Sequence, residues 1–245
     1  MSLKVLLNGA RGRMGEAILR AADPAIFDVC DRLDVDDEME PAVERCDVIV
    51  DFSHHEATLH LVELAAAAGK PIVIGTTGHT AEARRQILSH QDRIAIVWSG
   101  NYSIGMNLLF YLTNRAAATL SELYEPEITE AHHHFKKDAP SGTAVDLARR
   151  ICEGRQWDYD AVVVHGRSGI TGERPARQIG MHAVRGGDVV GQHTVSFFGD
   201  GERVELKHLA TDRKIFAQGA LAAAKWVVGK PAGFYEMQDV LELRS

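Results

Sequence analysis

Three glycines near the start of the sequence have the spacing of a phosphate-binding turn. Gly9, Gly12 and Gly15 follow the apolar run 3–7 and open a helical pattern. Small residues allow the backbone to approach a phosphate closely, and the N–H groups at a helix N-terminus attract the anion. The G-x-x-G-x-x-G spacing also fits a merely tight turn between strand and helix. Its place in a βαβ pattern favours a dinucleotide site.

Further parts of this dinucleotide site are expected after the next strands. Asp31 is predicted at the end of the second strand, where an acidic residue usually binds the ribose hydroxyls. Arg32 or Arg11 would bind a 2′-phosphate, so NADH and NADPH both fit. The alternative for Asp31 and Arg32 is a solvated strand end. The loops 75–78 and 99–102 follow the fourth and fifth strands, at the edge where open α/β sheets bind ligands.

The segment 130–144, which reads EAHHHFKKDAPSGTA, carries residues suited to proton transfer and to anion binding. Histidine exchanges protons near neutral pH, and a neighbouring lysine adds positive charge. Ser141 is predicted as the N-cap of a helix whose first N–H groups, at Gly142 and Thr143, would bind a carboxylate.

The three adjacent histidines have a second interpretation, as a metal patch or a polar surface. In an extended segment His132 and His134 face one side and His133 the other. All three therefore cannot bind one ion without a sharp turn, and we predict no metal site.

Short apolar runs alternate with helical patterns over the first hundred residues, which is typical of parallel strands connected by helices. Ser53 and Glu56 form a capping-box pattern before the second of these helices, and Gly69 with Pro71 ends it. The predicted strands are 3–7, 27–30, 48–52, 72–74 and 94–98, and the predicted helices are 14–22, 54–68 and 81–89.

The pattern changes after residue 98. Helices are predicted over 106–123, 143–152 and 214–228, with strands over 127–133, 179–185, 192–198 and 203–209. The stretch 166–180 is predicted as a surface loop. The pair Asp200-Gly201 indicates a hairpin between the last two strands, and hairpins imply a mixed or antiparallel sheet.

The predicted fold class is therefore α/β, with two domains. A Rossmann-like, parallel-sheet nucleotide-binding domain covers 1–104 and is completed by 213–245. A separate α+β domain with a mixed open sheet covers 105–212.

Composition excludes several classes of protein. Of the 245 residues 45% are hydrophobic and 25% are charged, which is the balance of a soluble globular protein. The net charge of −7 leaves no basic face for nucleic acid. No run approaches the ~20 apolar residues of a membrane span, and a strand begins too early for a signal peptide. Three widely spaced cysteines suit a reducing cytoplasm.

The segment 130–144 resembles the signature of the dihydrodipicolinate reductase family, E-x-H-H-x-x-K-x-D-A-P-S-G-T-A, at every fixed position. The similarity extends over nearly the whole chain, through the stretches 12–15, 48–53, 75–78, 185–195 and 216–220. The chain is short for the family around 33–43, so the preference between NADH and NADPH stays open.

The resemblance implies a function and roles for individual residues. It implies reduction of a cyclic imine dicarboxylate by NAD(P)H in diaminopimelate and lysine biosynthesis, by a cytoplasmic homotetramer joined through the sheet of the second domain. His132 would be the proton donor and acceptor, Lys136 the second proton donor, and His133, Gly142 and Thr143 would bind the substrate. The implied cofactor-binding residues are Gly9, Ala10, Arg11, Gly12, Arg13, Met14, Asp31, Arg32, Gly75, Thr76, Thr77, Ser99, Gly100, Asn101 and Tyr102.

Two other functions share some of these features. Another two-domain nicotinamide dehydrogenase acting on a small amino or imino acid would explain the glycine turn, but not His132-His133 and Lys136 followed by Ser-Gly-Thr. A nucleotide-sensing regulator without catalysis would need the first domain and no acid near the nicotinamide.

Overall fold

Strands and helices alternate along the chain of this computed structural model, which describes residues 2–120 and 122–244. The first elements are β1 (Leu3–Asn8), α1 (Arg13–Ala21), β2 (Phe27–Leu33), α2 (Glu40–Arg45), β3 (Val48–Asp51), α3 (His55–Ala68), β4 (Ile72–Ile74), α4 (Ala81–Leu88) and β5 (Ala95–Trp98). They are followed by α5 (Ile104–Thr119), β6 (Glu125–His132), α6 (Gly142–Arg155), α7 (Tyr159–Val162), β7 (Val163–His165), β8 (Ile179–Arg185), β9 (Gly191–Gly199), β10 (Glu202–Ala210), α8 (Lys214–Val227), β11 (Gly233–Tyr235) and α9 (Met237–Val240).

The chain folds into two compact units. The first unit consists of Met1–Ile104 and Arg213–Ser245, and the second unit is Gly105–Asp212. In the first unit a six-stranded parallel sheet has the order β11-β5-β4-β3-β1-β2. The chain runs outward in one direction to β2 and then in the other through β3, β4 and β5, so the crossover helices lie on both faces.

Apolar residues cover both faces of this parallel sheet. Val5, Val50 and Val97 pack on one side with residues of α1, α8 and α9. Leu6 and Ile49, one residue out of phase, pack on the other side with residues of α2, α3 and α4. Continuous apolar strands such as β3 are therefore buried on both sides, as expected for a parallel sheet.

The second unit contains a five-stranded mixed sheet with the order β10-β9-β6-β8-β7. β9 pairs antiparallel with β6 and β10, whereas β8 pairs parallel with β6 and β7. Ile128, Val195 and Phe197 on one face pack against residues of α5 and α6. The predicted fold class, a parallel α/β sheet plus a mixed sheet, is confirmed.

Several predictions about individual elements are wrong. The capping box is absent, because Ser53 donates its hydroxyl to Asp51 and the N-cap of α3 is His54. The helix predicted over 106–123 ends at Thr119, and Ser121 lies outside the described residues. The short elements α2, α7, β7, β11 and α9 were not predicted. Over residues 2–120 and 122–244, no helix has both the length and the apolar character that crossing a bilayer requires.

Candidate active site

The turn between β1 and α1 leaves the first N–H groups of α1 without a side-chain acceptor, because its N-cap is Gly12. Gly9 has a φ of +81°, and a Cβ atom there would lie 2.4 Å from the carbonyl oxygen of Phe52. A Cβ atom at Gly15 would lie 2.2 Å from the Gly9 carbonyl oxygen. Glycine at these positions keeps the turn tight and lets an anion approach the helix start.

A cavity of about 530 Å³ lies beside this turn. Its walls come from the glycine turn and from the segments that follow β2 and β3, and they include Gly9, Gly12, Asp34, Asp36, Phe52 and His54. These segments lie at the carboxyl ends of neighbouring parallel strands, where open α/β sheets bind nucleotides. The cavity and the uncapped turn fit a dinucleotide.

The acidic residue beside the glycine turn is Asp34, not Asp31. Asp31 lies within β2 opposite Leu6, and its carboxylate binds the guanidinium of Arg45, which lowers the pKa of Asp31. Asp34 follows the last residue of β2 and accepts a hydrogen bond of 2.9 Å from the N–H of Arg11. Hydrogen bonds from the N–H groups of Arg11 and Val35 lower the pKa of Asp34.

The placement of Asp31 at the strand end is therefore wrong. Among the described residues, Asp34 lines the cavity and neither Asp31 nor Arg32 does. The exposed Arg32 pairs with Leu7 inside β2.

A fully buried carboxylate, that of Asp51, connects the loops at this edge of the sheet. It accepts hydrogen bonds from the amide of Asn8 at 3.0 Å, from the hydroxyl of Thr58 at 2.7 Å and from the hydroxyl of Thr76 at 2.9 Å. The Ser53 hydroxyl donates to the same carboxylate and accepts from Asn8 at 3.0 Å. The glycine turn, the segment after β3 and the loop after β4 are thus held together.

The loop after β5 is held by its own polar groups. The Ser99 hydroxyl donates to the Asn101 carbonyl at 2.8 Å, and Gly100 is exposed. The Tyr102 side chain lies in the core, and its hydroxyl donates to the Ile74 carbonyl at 2.8 Å. Burial raises the pKa of Tyr102 well above its usual range. Only the backbone of Tyr102 is therefore suited to contact a cofactor.

In the second unit, β6 presents two kinds of side chain by strand alternation. Ile128, Glu130 and His132 are buried and lie on one face, at two-residue spacing. Thr129, between them, is exposed on the other face. His132 is the last residue of β6 and is 8% exposed, so its ring lies at the edge of the core.

Glu130 is fully buried and binds three groups at once. Its Oε2 lies 2.6 Å from Nδ1 of His132, its Oε1 accepts from the N–H of Ser141 at 3.0 Å, and Arg185 donates to both oxygens at 2.8 and 2.7 Å. Burial raises the pKa of Glu130, but hydrogen bonds from His132, Arg185 and the Ser141 amide outweigh burial and lower it to about 2. Because an ionised carboxylate only accepts, Nδ1 of His132 carries the hydrogen and Nε2 is the nitrogen left for chemistry.

Ser141 caps the N-terminus of α6, as predicted. Its Oγ accepts from the N–H of Ala144 at 3.2 Å and lies 3.1 Å from Nε2 of the buried His193. Burial, and then the neighbouring His132, lowers the pKa of His193 to about 3, so its ring is neutral and accepts the Ser141 proton. The rings of His132 and His193 are 5.1 Å apart, edge to face.

The segment after β6 is fixed by backbone contacts. The N–H of His133 donates to the Val189 carbonyl at 2.8 Å, and the N–H of Lys136 donates to the His133 carbonyl at 3.1 Å. Lys136 Nζ lies 2.9 Å from a carboxylate oxygen of Asp138, and this contact lowers the pKa of Asp138. In the described parts of the chain no three His, Cys, Asp or Glu side chains are arranged to hold a metal ion.

Comparison with known families accounts for both units. Residues 3–102 match the model of the dihydrodipicolinate reductase N-terminus, and residues 105–241 match the model of its C-terminus. The chain belongs to the dihydrodipicolinate reductase family. The predicted resemblance is thereby confirmed.

Relatives of this dihydrodipicolinate reductase-family chain match it from end to end. The 4-hydroxy-tetrahydrodipicolinate reductase of Akkermansia muciniphila is 48% identical, over 98% of each chain. The protein of that name from Thiobacillus denitrificans is 44% identical, over 100% of each. A solved dihydrodipicolinate reductase from Paenisporosarcina sp. TG-14 with bound dipicolinate shares the fold, with a TM-score of 0.82 and 23% identity over 98% of this chain and 99% of that one.

The structure of this family member brings only some of the predicted site residues into contact. His132 and Ser141 are joined through Glu130, whereas Lys136 contacts Asp138. The N–H of Ser141 is already donated to Glu130, so Ser141 is a cap and not a direct ligand of a carboxylate. Exposed Gly142 opens the first turn of α6, followed by Thr143. In the first unit, Ala10 donates to the Leu33 carbonyl, Arg13 and Met14 begin α1, Gly75 packs on Phe52, and Thr77 is exposed.

Sequence reasoning missed Asp34, Asp51, Glu130 and His193 and left Arg185 undecided. Glu130 had a detectable signal, since it precedes His132 by two residues on a strand and must share its face. Asp34, Asp51 and His193 act through contacts between segments distant in the sequence, which no local pattern indicates.

Proposed function

We propose that this protein reduces 4-hydroxy-tetrahydrodipicolinate, a cyclic imine dicarboxylate, to tetrahydrodipicolinate with NADH or NADPH, in the diaminopimelate route to lysine. Identity of 41–48% over nearly the whole chain with proteins of that name supports the proposal. The structural observation that carries it is the imidazole of His132, bound at Nδ1 by a charged carboxylate that also binds the start of α6.

His132 is proposed as the proton donor. Hydride addition to the conjugated ring leaves an electron-rich enamine, which must gain a proton. Nε2 is the donating atom, because Glu130 occupies Nδ1. Lys136 is proposed as the second donor, and its contact with Asp138 restrains the ammonium. Both groups lie in the segment that follows the buried face of β6.

The dicarboxylate is proposed to bind at the start of α6. Gly142 and Thr143 form its first turn, whose N–H groups have no acceptor within the helix, and the helix dipole favours an anion there. His133 adds a donor from the neighbouring segment. Ser141 holds the first turn in place through its hydrogen bond with Ala144.

The nicotinamide dinucleotide, when bound, supplies the hydride. We propose that the turn from Gly9 to Met14 binds its phosphates, that Asp34 binds the ribose hydroxyls, and that the loops 75–77 and 99–102 complete the site. Asp34, Asp36 and Asp37 all line the cavity, and their charge opposes a 2′-phosphate. NADH is therefore the proposed preference.

A coupled assay tests the proposed reaction. The imine is generated in the cuvette by the preceding aldolase, and oxidation of NADH and NADPH is followed by absorbance. We expect rapid oxidation with this substrate and none with pyruvate plus ammonia, which would serve a general imino-acid dehydrogenase. His132→Gln should lower kcat by about 100-fold, the contribution typical of a general acid, with dinucleotide affinity unchanged. A dinucleotide-sensing protein without catalysis would bind NADH and oxidise none.

The proposed assembly is a cytoplasmic homotetramer. Cys30, Cys46 and Cys152 are all free thiols, which suits a reducing compartment. Val184, Phe198 and Leu209 are exposed on the face of the mixed sheet that α5 and α6 leave open. An exposed apolar sheet face of this kind is suited to contact with another copy of the chain.

A further inference from the structure

We propose that Glu130 is a positioning residue for catalysis, which fixes the His132 ring and the start of α6 with one buried carboxylate. The inference rests on the proposed role of His132 as proton donor. Glu130 itself is fully buried, so it acts through the groups it binds.

The bond to His132 selects the reactive nitrogen. A carboxylate at 2.6 Å from Nδ1 holds the hydrogen on that atom and directs Nε2 away from the core. Space at Nε2 is kept by Gly191, where a Cβ atom would lie 3.2 Å from Nε2. The opposite tautomer would place a hydrogen on Nε2 after proton transfer and leave Nδ1 facing the carboxylate without one.

The bond to Ser141 extends the same control to the substrate-binding helix. Oε1 accepts the N–H of the N-cap residue, and the Ser141 hydroxyl in turn caps Ala144. The first turn of α6 and the imidazole are therefore fixed relative to each other by the two oxygens of a single side chain. A proton donor and an anion site must keep such a fixed separation for the proton to reach a bound ring.

Arg185 keeps this carboxylate charged and in place. It donates to both oxygens of Glu130 and also to the carbonyls of Val184 and Asp138. A buried charge needs such a partner, because a lone carboxylate in the core would take up a proton. The pair explains why a full negative charge persists beside His132 in the core.

The same strand provides a matched control. Glu127 also lies on β6 and also binds two arginines and a histidine, namely Arg167, Arg174 and His182. It is three residues from Glu130 and therefore on the opposite face of the sheet. Replacing Glu127 removes a similar ion-pair cluster without touching His132 or α6.

The experiment compares the full-length wild type, E130Q, E127Q and H132Q. We expect E130Q to lower kcat by about 100-fold, close to H132Q, because the glutamine amide can donate to Nδ1 and invert the tautomer. E127Q should stay within about threefold of the wild type. The solvent deuterium isotope effect on kcat should rise in E130Q, because proton transfer becomes slower relative to the other steps, and should be unchanged in E127Q.

Each outcome bears on a single statement. If E130Q retains the kcat and isotope effect of E127Q while H132Q is impaired, the positioning role is overturned and the proposed reaction stands. If the wild type does not oxidise either dinucleotide with the imine, the proposed function itself is wrong. Should E130Q fail to give a cooperative thermal transition, E130D replaces it, since it keeps the charge for Arg185 but withdraws from Nδ1. A kcat of E130D within about threefold of the wild type would also overturn the inference.

Discussion

At the scale of single residues, two aspartates three positions apart have opposite roles. Asp31 and Asp34 both follow apolar residues of β2, but only Asp34 lies past the last strand pair, Asn8 with Leu33. The N–H groups of Gly9 and Ala10 both donate to the Leu33 carbonyl, so the next residue meets the glycine turn. Asp31 instead binds Arg45, which comes from α2, a helix that the sequence pattern did not indicate.

Substitution of Asp34 tests the ribose assignment. Asp34→Asn should lower kcat/KM for NADH by about 10-fold and change kcat/KM for NADPH less, because a hydrogen bond to a charged group is worth about 1.5–3 kcal/mol. The measurement is the ratio of the two kcat/KM values. Asp31→Asn serves as the comparison and should leave the ratio unchanged. A change of ratio in Asp31→Asn alone would restore the assignment made from the sequence.

At the scale of elements, β6 carries two ionised glutamates on opposite faces. Burial raises the pKa of Glu127, but hydrogen bonds from Arg167, His182 and Arg174 outweigh burial and lower it to about 2, as the corresponding bonds do for Glu130. The ordinary value for both is 4.5. Because the folded-state pKa is depressed, each carboxylate stabilises the fold fully above pH 4.5, and this stabilisation is lost as the pH falls through about 2.

The loss of this stabilisation in acid can be measured with Glu127→Gln. At pH 7 the variant should be less stable than the wild type by about 2–3 kcal/mol, since each unit of pKa shift corresponds to about 1.4 kcal/mol. The difference should shrink between pH 4.5 and 2 as the wild-type carboxylate takes up its proton. Thermal unfolding followed by circular dichroism across this range gives both quantities. A difference that is constant with pH would contradict the linkage.

At the scale of the whole molecule, the two sheets differ in how many faces are covered. Helices cover both faces of the parallel sheet, whereas α5 and α6 pack on one face of the mixed sheet. Val184, Phe198 and Leu209 lie on its other face at 52%, 37% and 55% exposure. These side chains make that face the best candidate for the subunit contact of the proposed tetramer.

Charge placed on this face should prevent assembly. The double variant Val184→Glu and Leu209→Glu should elute as a smaller species than the wild type, because unpaired carboxylates in an apolar contact are costly to desolvate. Size-exclusion chromatography with light scattering gives the mass. Leu108→Glu on α5, also an exposed leucine, is the control and should assemble as the wild type does. A monomeric wild type would remove the tetramer from the proposal.

The sequence by itself determined the family, the two kinds of sheet and the segment 130–144, because each depends on local information. Alternating apolar runs, the Asp200-Gly201 turn and the spacing from Glu130 to Ala144 can all be recognised within short windows. The N-cap role of Ser141 was predictable for the same reason, since an N-cap acts on N–H groups two or three residues away.

The tertiary structure alone decided which charged groups meet. Glu130 binds Arg185, 55 residues later, and Arg11 binds Asp34, 23 residues later. Such pairs depend on strand order and register, which bring distant segments side by side only after the sheets have formed. A sequence window sees each charge but not its partner, so the assignment of Asp34 and the buried carboxylate behind His132 had to come from the fold.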